Sequence, residues 1–390
     1  MLREKNLQFA LPDIGDDELQ EVLECLRGGW LTTGPKAALF EKGFGKYVGM
    51  PYALAVNSGT AGLHLSLEAF GVRKGDIVIT SAYTFTACAE VIRYLGGHLA
   101  LVDIERQTFN LDPHALEAKL GKFGSVKKNV KAVLPVHFAG QACDMDRVLD
   151  LSRQYGTRVI EDAAHALPST HKGRMIGTIG DATVFSFYVT KPLTTGEGGM
   201  VVTGSEEIAK RIKIMRLHGI DREVWDRYTS KRPQWYYEVV APGYKYNMPD
   251  LMAAVGIHQL KKINQFQSRR EEIAKRYNEA FADLPLRTPQ LARPEDTHAW
   301  HLFVIQLELE NIKISRDRFI EKMADKGIGT SVHFIPLHLH PYWRDLYGFE
   351  PNDFPVALDC YRRAVSLPIY SKMTDTDVER VIKAVRDILV

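Results

Sequence analysis

The sequence predicts an α/β protein: a large domain on a mainly parallel sheet over residues 1–250, with an N-terminal helical arm, then a smaller α+β domain over residues 251–390. Three observations carry this expectation. Short apolar runs alternate with amphipathic ones between Tyr52 and Glu161, as in strands buried on both faces and joined by helices. The 390-residue chain is longer than the about 250–300 residues at which single cores stop growing. Near the C-terminus, Val378, Val381, Ile382, Val385 and Leu389 recur at helical spacing and form a core-facing stripe.

Taken in order, Asp16 to Leu26 carries Leu19, Val22 and Leu23 at amphipathic spacing and stops at Gly28-Gly29. Trp30 to Pro35 is then a loop, and Ala37 to Tyr47 a second helix. Strand Tyr52 to Val56 breaks at Asn57-Ser58-Gly59-Thr60 and enters a helix over Ala61 to Phe70. Strand Ile77 to Ile79, helix Ala87 to Leu95, strand Leu99 to Val102 and a segment from Asp112 continue the alternation. Gly121 to Asn129, rich in lysine and glycine, reads as a solvated loop. Strand Ala132 to Val136, helix Met145 to Tyr155 and strand Arg158 to Glu161 follow. Two apolar strand-like runs, Val184 to Val189 and Met200 to Val202, flank Lys191. Ser205, with Glu206 and Glu207 behind it, is an N-cap for a helix to Leu217. Arg222 to Tyr246, with Trp225, Trp235, Tyr236 and Tyr237, lacks periodicity and reads as an excursion for substrate or subunit contact. A helical pattern in two pieces spans Asp250 to Leu284, and a strand covers His301 to Leu307.

Composition excludes several classes of partner. A formal net charge of +2, without a basic run carrying aromatics, gives no nucleic-acid surface. No stretch approaches the ~18 consecutive apolar residues of a membrane helix, and the N-terminus lacks a signal-peptide apolar region, so a cytoplasmic protein is expected. Cys25, Cys88, Cys143 and Cys360 stand far apart, as reduced, buried thiols do.

The chemistry is concentrated in four stretches. Lys191 lies between two apolar runs, where burial pushes a lysine toward the neutral amine that condenses with carbonyl compounds; a snorkelling edge-strand lysine is the plainer alternative. Asn57-Ser58-Gly59-Thr60-Ala61 is a strand-to-helix turn able to present N–H groups and a positive helix end to a phosphate. Glu161-Asp162-Ala163-Ala164-His165 follows an apolar strand, where either acid could meet a cationic ligand or merely cap a helix. Thr84-Phe85-Thr86 offers a ring at another strand end, against the alternative of core packing. Together, a phosphate cradle, a strand-end acid, a stacking ring and a Schiff-base lysine are the requirements of pyridoxal phosphate. His333, His338 and His340 cluster in sequence but show no HExxH or cysteine partners, so no metal is expected. GxGxxG after a strand is also missing, which disfavours a dinucleotide.

Ordered along the chain, Ser-Gly-Thr-Ala, Glu-Asp-Ala-Ala-His, Ser-Phe-Tyr-x-Thr-Lys, Gly-Glu-Gly-Gly and Gly-Tyr-Lys-Tyr-Asn resemble the DegT/DnrJ/EryC1/StrS nucleotide-sugar aminotransferases, fold type I pyridoxal-phosphate enzymes. The likeness runs from Leu11-Pro12 through Gly29-Trp-Leu-Thr-Thr-Gly34 to Ser366-Leu-Pro368. It implies that Lys191 holds the cofactor aldehyde and shuttles the proton, and that Asp162 pairs with the pyridinium nitrogen. Phe85 would stack on the ring and His165 would lie near its phenolic oxygen. Ser58, Gly59, Thr60, the Ala61 N–H and Ser186 would hold the phosphate. Asn247 would reach the phosphate of a neighbouring subunit in a homodimer with shared sites.

The implied reaction is a two-half transamination. Glutamate gives its amine and leaves as 2-oxoglutarate, pyridoxamine phosphate carries the amine, and a nucleotide-linked keto sugar accepts it. Such sugars serve cell-surface polysaccharide, lipopolysaccharide or secondary-metabolite synthesis. Within the family the look is of C4-aminating enzymes, such as 4-amino-4-deoxy-L-arabinose aminotransferase and perosamine synthase, with C3 amination the alternative. Trp30, Thr32, Tyr188, Trp235 and His333 are the candidate sugar contacts. A sugar dehydratase of this fold would carry histidine at position 191, and a non-catalytic regulator would not need the Lys191–Asp162 pair. Gly196-Glu-Gly-Gly199 reads as a tight turn closing the lysine loop, not as a catalytic role for Glu197.

Overall fold

The computed structural model describes residues 6–125, 129–221 and 235–390. Helices α1 (Asp16–Gly28) and α2 (Pro35–Val48) lead into β1 (Tyr52–Val56) and α3 (Gly59–Ala69). Then come β2 (Ile77–Ser81), α4 (Ala87–Tyr94), β3 (His98–Val102), α5 (Pro113–Ser125), β4 (Val130–Leu134), α6 (Met145–Tyr155) and β5 (Arg158–Asp162). A small hairpin, β6 (Thr170–His171) and β7 (Arg174–Met175), precedes β8 (Ala182–Ser186), β9 (Gly199–Thr203) and α7 (Glu206–Met215). The C-terminal part consists of α8 (Asp250–Ala280), β10 (Leu286–Arg287), β11 (Phe303–Leu307), α9 (Arg316–Asp325), α10 (Pro341–Tyr347), α11 (Pro355–Arg363), β12 (Ala364–Leu367) and α12 (Asp375–Leu389).

Seven strands form one sheet in the order β1-β9-β8-β5-β4-β2-β3. Neighbours from β8 to β3 pair in parallel, and β9 runs antiparallel to both β8 and β1. The expected mainly parallel α/β architecture therefore holds. Every residue of β2, Ile-Val-Ile-Thr-Ser, is buried, because helices cover both faces and leave no solvent side. Since β1, β2, β5 and β8 all point the same way, the residues that follow them gather at one sheet edge. That edge, the carboxyl ends of the strands, is where open α/β sheets bind ligands.

Some local expectations change. The 250–284 pattern is one unbroken helix, α8, not two pieces. Polar residues that blur its periodicity, Gln259, Gln267 and Arg270, are buried because each bonds a distant segment: Asp13, His298 and Trp300 respectively. Its first half packs with α2 in a core containing Phe40 and Phe266, and its second half joins Tyr277 and Phe281 to the α12 stripe of Val378, Val381 and Val385. The Gly121–Asn129 loop is in part helical, since α5 continues to Ser125. Gly121 and Gly124 face the Tyr155 ring there at van der Waals distance. The strand over Val184–Val189 instead ends at Ser186, the chain turning at the site.

The amphipathic reading of α1 is inverted. Glu18 is its fully buried face, bonded to Lys262 and Gln259 of α8, whereas Leu19, Leu23 and Leu26 stand exposed. Asp250 at the start of α8 accepts from the N–H groups of Gly34, Lys36 and Ala37, so a residue remote in sequence caps α2. All four cysteines are free and buried, as expected.

Candidate active site

The cradle forms where β1 runs into α3. Ser58 caps that helix, its hydroxyl accepting from the Ala61 N–H at 3.1 Å, a contact of about 1 kcal/mol. First-turn N–H groups of a helix have no intrahelical acceptor, and with the dipole they make this end receptive to an anion. Two glycines bring the ends of β8 and β9 against it. A Cβ on Gly59 would sit 3.1 Å from the Ser186 Cβ, and one on Gly199 would sit 2.8 Å from the Gly59 nitrogen and the Ser58 carbonyl. Gly199 is closed to larger residues, Gly59 would admit one only if Ser186 shifted, and Ser186 is thus held against Gly59.

Strand alternation separates the two acids of β5. Glu161 points into the protein, completely buried, accepting from Thr183 Oγ1 at 2.7 Å and Gly180 N–H at 2.8 Å. His137 Nδ1 accepts from the Cys143 N–H, so its other nitrogen carries the proton and donates to Glu161 at 2.9 Å. Burial raises the Glu161 carboxyl, but these bonds outweigh it and leave the group below the usual value. Glu161 is thereby committed to structure. Asp162 points the other way, toward the site, with its Oδ1 accepting from the Ala164 N–H at 2.9 Å.

Lys191 follows β8 in a turn, its N–H donating to the Tyr188 carbonyl at 2.9 Å. Loss of hydration outweighs the attraction of Asp162 and pushes its amine down to about 8. The side chain is half-buried, not extended into solvent as a snorkelling lysine would be. Its Nζ lies 3.5 Å from Nε2 of His301, a residue to which the sequence reading gave no role. The His301 ring is 4.4 Å from His165. His165 Nδ1 accepts from the Ala139 N–H at 3.2 Å, which leaves the Nε2 proton free to donate. Burial first, then Lys191 and His333, hold His165 well below the ordinary histidine value, so a neutral imidazole faces the lysine. His301 is neutral for the same reasons.

Phe85 is 57% exposed, which rules out the core-packing alternative. Its ring lies 5.9 Å from Phe334, and Phe334 is 5.9 Å from His165. A cleft of about 990 Å³ opens beside Phe85, bordered by Thr86, Glu90, Phe334, Tyr342 and Trp343.

The turn after Lys191 is explained by close approach. Gly196 has φ +80°, and a Cβ on Gly198 would meet Thr195 Oγ1 at 2.3 Å and the Met248 methyl at 2.7 Å. Glu197 stands exposed, its carbonyl accepting from Thr195 Oγ1. The other candidates are more scattered. Trp30 is pinned over Gly34, with Nε1 donating to the Thr33 carbonyl at 3.2 Å, and Thr32 is exposed beside it. Asn247 bridges to Val56, next to the cradle, and its amide donates to Thr33 Oγ1 at 2.6 Å. Tyr188 is exposed beside Ser186, and Trp235 is 77% exposed far along the chain from it. Much of the Arg222–Tyr246 excursion, including Trp225, lies outside the described residues. His333 stacks on Phe9 at 5.4 Å and shares a 2.9 Å contact with Ser366 Oγ, its pKa lowered by burial to about 4. His338 instead turns to the Pro351 carbonyl, and no group of metal-ligating side chains forms among the described residues.

The arrangement therefore offers an amine, a buried carboxylate, a bare aromatic face and an anion-receptive helix end at one sheet edge. Comparison with known proteins agrees. Residues 12–386 match the DegT/DnrJ/EryC1/StrS aminotransferase family, and the chain belongs to it. It is an enzyme that transaminates, with the fold of the type I pyridoxal-phosphate aminotransferases. The chain is 50% identical to the uncharacterized protein MJ1066 of Methanocaldococcus jannaschii, over all of this chain and 99% of that one. It is 49% identical, over 100% of this chain and 99% of the other, to the spore coat polysaccharide biosynthesis protein SpsC of Bacillus subtilis. Among solved structures, the putative sugar aminotransferase Spr1654 of Streptococcus pneumoniae in its PMP form superposes with a TM-score of 0.90 at 32% identity, covering 98% of this chain and 99% of that one. The same protein is also known in a PLP form.

Proposed function

We propose that this enzyme moves an amino group from glutamate to the C4 keto carbon of a nucleotide-linked keto-deoxy sugar, with pyridoxal 5′-phosphate as cofactor. The observation that carries the reading is the Lys191 amine at about 8 in the field of the Asp162 carboxylate. At pH 7.5 roughly a quarter of such an amine is neutral, against about a thousandth for an ordinary lysine. That neutral fraction is what can attack an aldehyde and later accept a proton.

The residues fit the cofactor. Ser58, Thr60, the Ala61 end of α3 and Ser186 would form the phosphate cradle, with Gly59 and Gly199 letting β8 and β9 pack against the start of α3. Asp162 would hold the ring nitrogen protonated, with Phe85 and His165 along the ring. Bound there, the cofactor supplies an electron sink that makes the donor's α-hydrogen acidic. Lys191 Nζ would take up that proton and hand it on, and the neutral His165 and His301 rings would not compete for it.

A sugar acceptor is supported by SpsC, a polysaccharide biosynthesis protein, and by Spr1654, described as a putative sugar aminotransferase. Trp30, Thr32, Tyr188, Trp235 and His333 are the side chains we assign to the sugar. A homodimer is supported by the apolar residues Leu19, Leu23, Leu26, Leu31 and Leu39, all exposed in the single chain. In it Asn247 would meet the partner's phosphate. No described helix is long and apolar enough to cross a membrane, and we place the enzyme in the cytoplasm. The test is reverse transamination of C4- and C3-amino nucleotide sugars with 2-oxoglutarate. Consumption of a 4-amino sugar supports the proposal, and exclusive consumption of 3-amino sugars overturns the C4 assignment.

A further inference from the structure

The Asp162 carboxylate is gripped from two sides. The Ala164 N–H takes Oδ1, and the Cys88 thiol lies 3.0 Å from Oδ2. Cys88 sits in the first turn of α4, its own N–H reaching the Phe85 carbonyl at 3.3 Å. One short segment thus carries both the exposed ring and the thiol. The sulfur has no solvent exposure, and the Thr84 hydroxyl stands 3.4 Å from it. Burial, reinforced by Asp162, pushes the thiol well above its ordinary pKa, so it keeps its proton and can only donate to the carboxylate. The other three thiols face backbone carbonyls: Cys25 that of Asp250, Cys143 that of Val136 and Cys360 that of Arg106. Among the described residues Cys88 is the cysteine whose sulfur meets a carboxylate.

We propose that Cys88 is a positioning residue, whose thiol fixes the Asp162 carboxylate so that its free lone pairs face the ring nitrogen of the cofactor. The inference rests on the reading of Asp162 as the partner of that nitrogen. A thiol suits the task physically. It is a weak donor, so it orients Oδ2 while leaving most of the negative charge for the cationic nitrogen. Packing alone would require only a small apolar side chain at position 88 and would be indifferent to what Asp162 becomes.

Two measurements separate these accounts. Infrared spectroscopy of the cofactor-free wild type should show one S–H band displaced to low wavenumber, missing from Cys88→Ala and moved upward in Asp162→Asn. A Cys88 band at the position of the other thiols, or one unmoved by Asp162→Asn, overturns the hydrogen bond. Absorbance titration with pyridoxal phosphate should then show affinity weakened about fivefold in Cys88→Ala and kept within about twofold in Cys88→Ser, which restores a donor. Wild-type affinity in Cys88→Ala overturns the positioning role, as does an equal loss in both variants. If Cys88→Ala does not fold, the wild-type band and Cys88→Ser still decide. The infrared result is independent of catalysis, so failure of the transamination reading would show instead as a wild type that binds no cofactor.

Discussion

Replacing Lys191 with methionine should stabilise the cofactor-free protein while abolishing its activity. The amine sits at about 8 in the fold against an ordinary 10.5, because burial removes its hydration and Asp162 only partly compensates. At 1.36 kcal/mol per unit, the folded state carries a penalty of about 3 kcal/mol wherever the lysine is protonated in both states. The sign follows from proton counting. Between about 8 and 10.5 the unfolded lysine still holds a proton that the folded one has lost, so wild-type stability rises with pH across that window. Below pH 8 the penalty is paid in full. Methionine is of similar length and carries no charge, so it removes this penalty, which is already net of the attraction to Asp162, and gives up the 3.5 Å contact with His301. Denaturant unfolding of cofactor-free wild type and Lys191→Met from pH 7 to pH 10 measures the difference, other titrating groups cancelling between the two. The variant should be about 3 kcal/mol more stable at pH 7, the gap closing to about 1 kcal/mol at pH 10. A gap independent of pH, or a wild type that is more stable at pH 7, would refute the argument that Lys191 is held desolvated.

Asp162→Asn should lower turnover by several orders of magnitude while near-native melting is retained, because an amide cannot stabilise a protonated ring nitrogen; a near-normal rate would remove Asp162 from its role. Gly199→Ala places a methyl 2.8 Å from the Ser58–Gly59 backbone, so it should cost about 1–3 kcal/mol in unfolding experiments and weaken pyridoxal phosphate binding disproportionately. Unchanged cofactor affinity in that variant would show that the cradle is not where β9 meets α3.

The architecture was legible because buried parallel strands leave a strong signal. Tyr52–Val56 and Met145–Tyr155 were bounded from the sequence as they occur, and Ser205 acts as the cap its chemistry suggests. What escaped was decided by contacts distant in sequence. Gln259, Gln267 and Arg270 look like a helix break because polarity normally means solvent, yet each is buried by a bond to a loop hundreds or tens of residues away. The leucines of α1 look like a core face, yet the core took Glu18, whose charge Lys262 balances. In the site, Lys191 and Asp162 could be named from the order of motifs. His301, Cys88 and His137 could not. A lone histidine or cysteine carries no local pattern, and only folding shows that one lies 3.5 Å from the lysine amine, one touches Asp162 and one immobilises Glu161. Strand alternation, which a dipeptide alone does not reveal, turns Glu161 into a buried network and Asp162 toward Ala164 and Cys88.

One spectroscopic experiment tests transamination at Lys191 most directly. The enzyme loaded with pyridoxal phosphate is mixed with glutamate alone, and the cofactor absorbance is followed beside a count of 2-oxoglutarate released. Wild type should convert its cofactor to the pyridoxamine form with one 2-oxoglutarate per site, and Lys191→Ala should convert none. Full conversion in Lys191→Ala, or no conversion of the wild type by glutamate or any other amino donor, would contradict it.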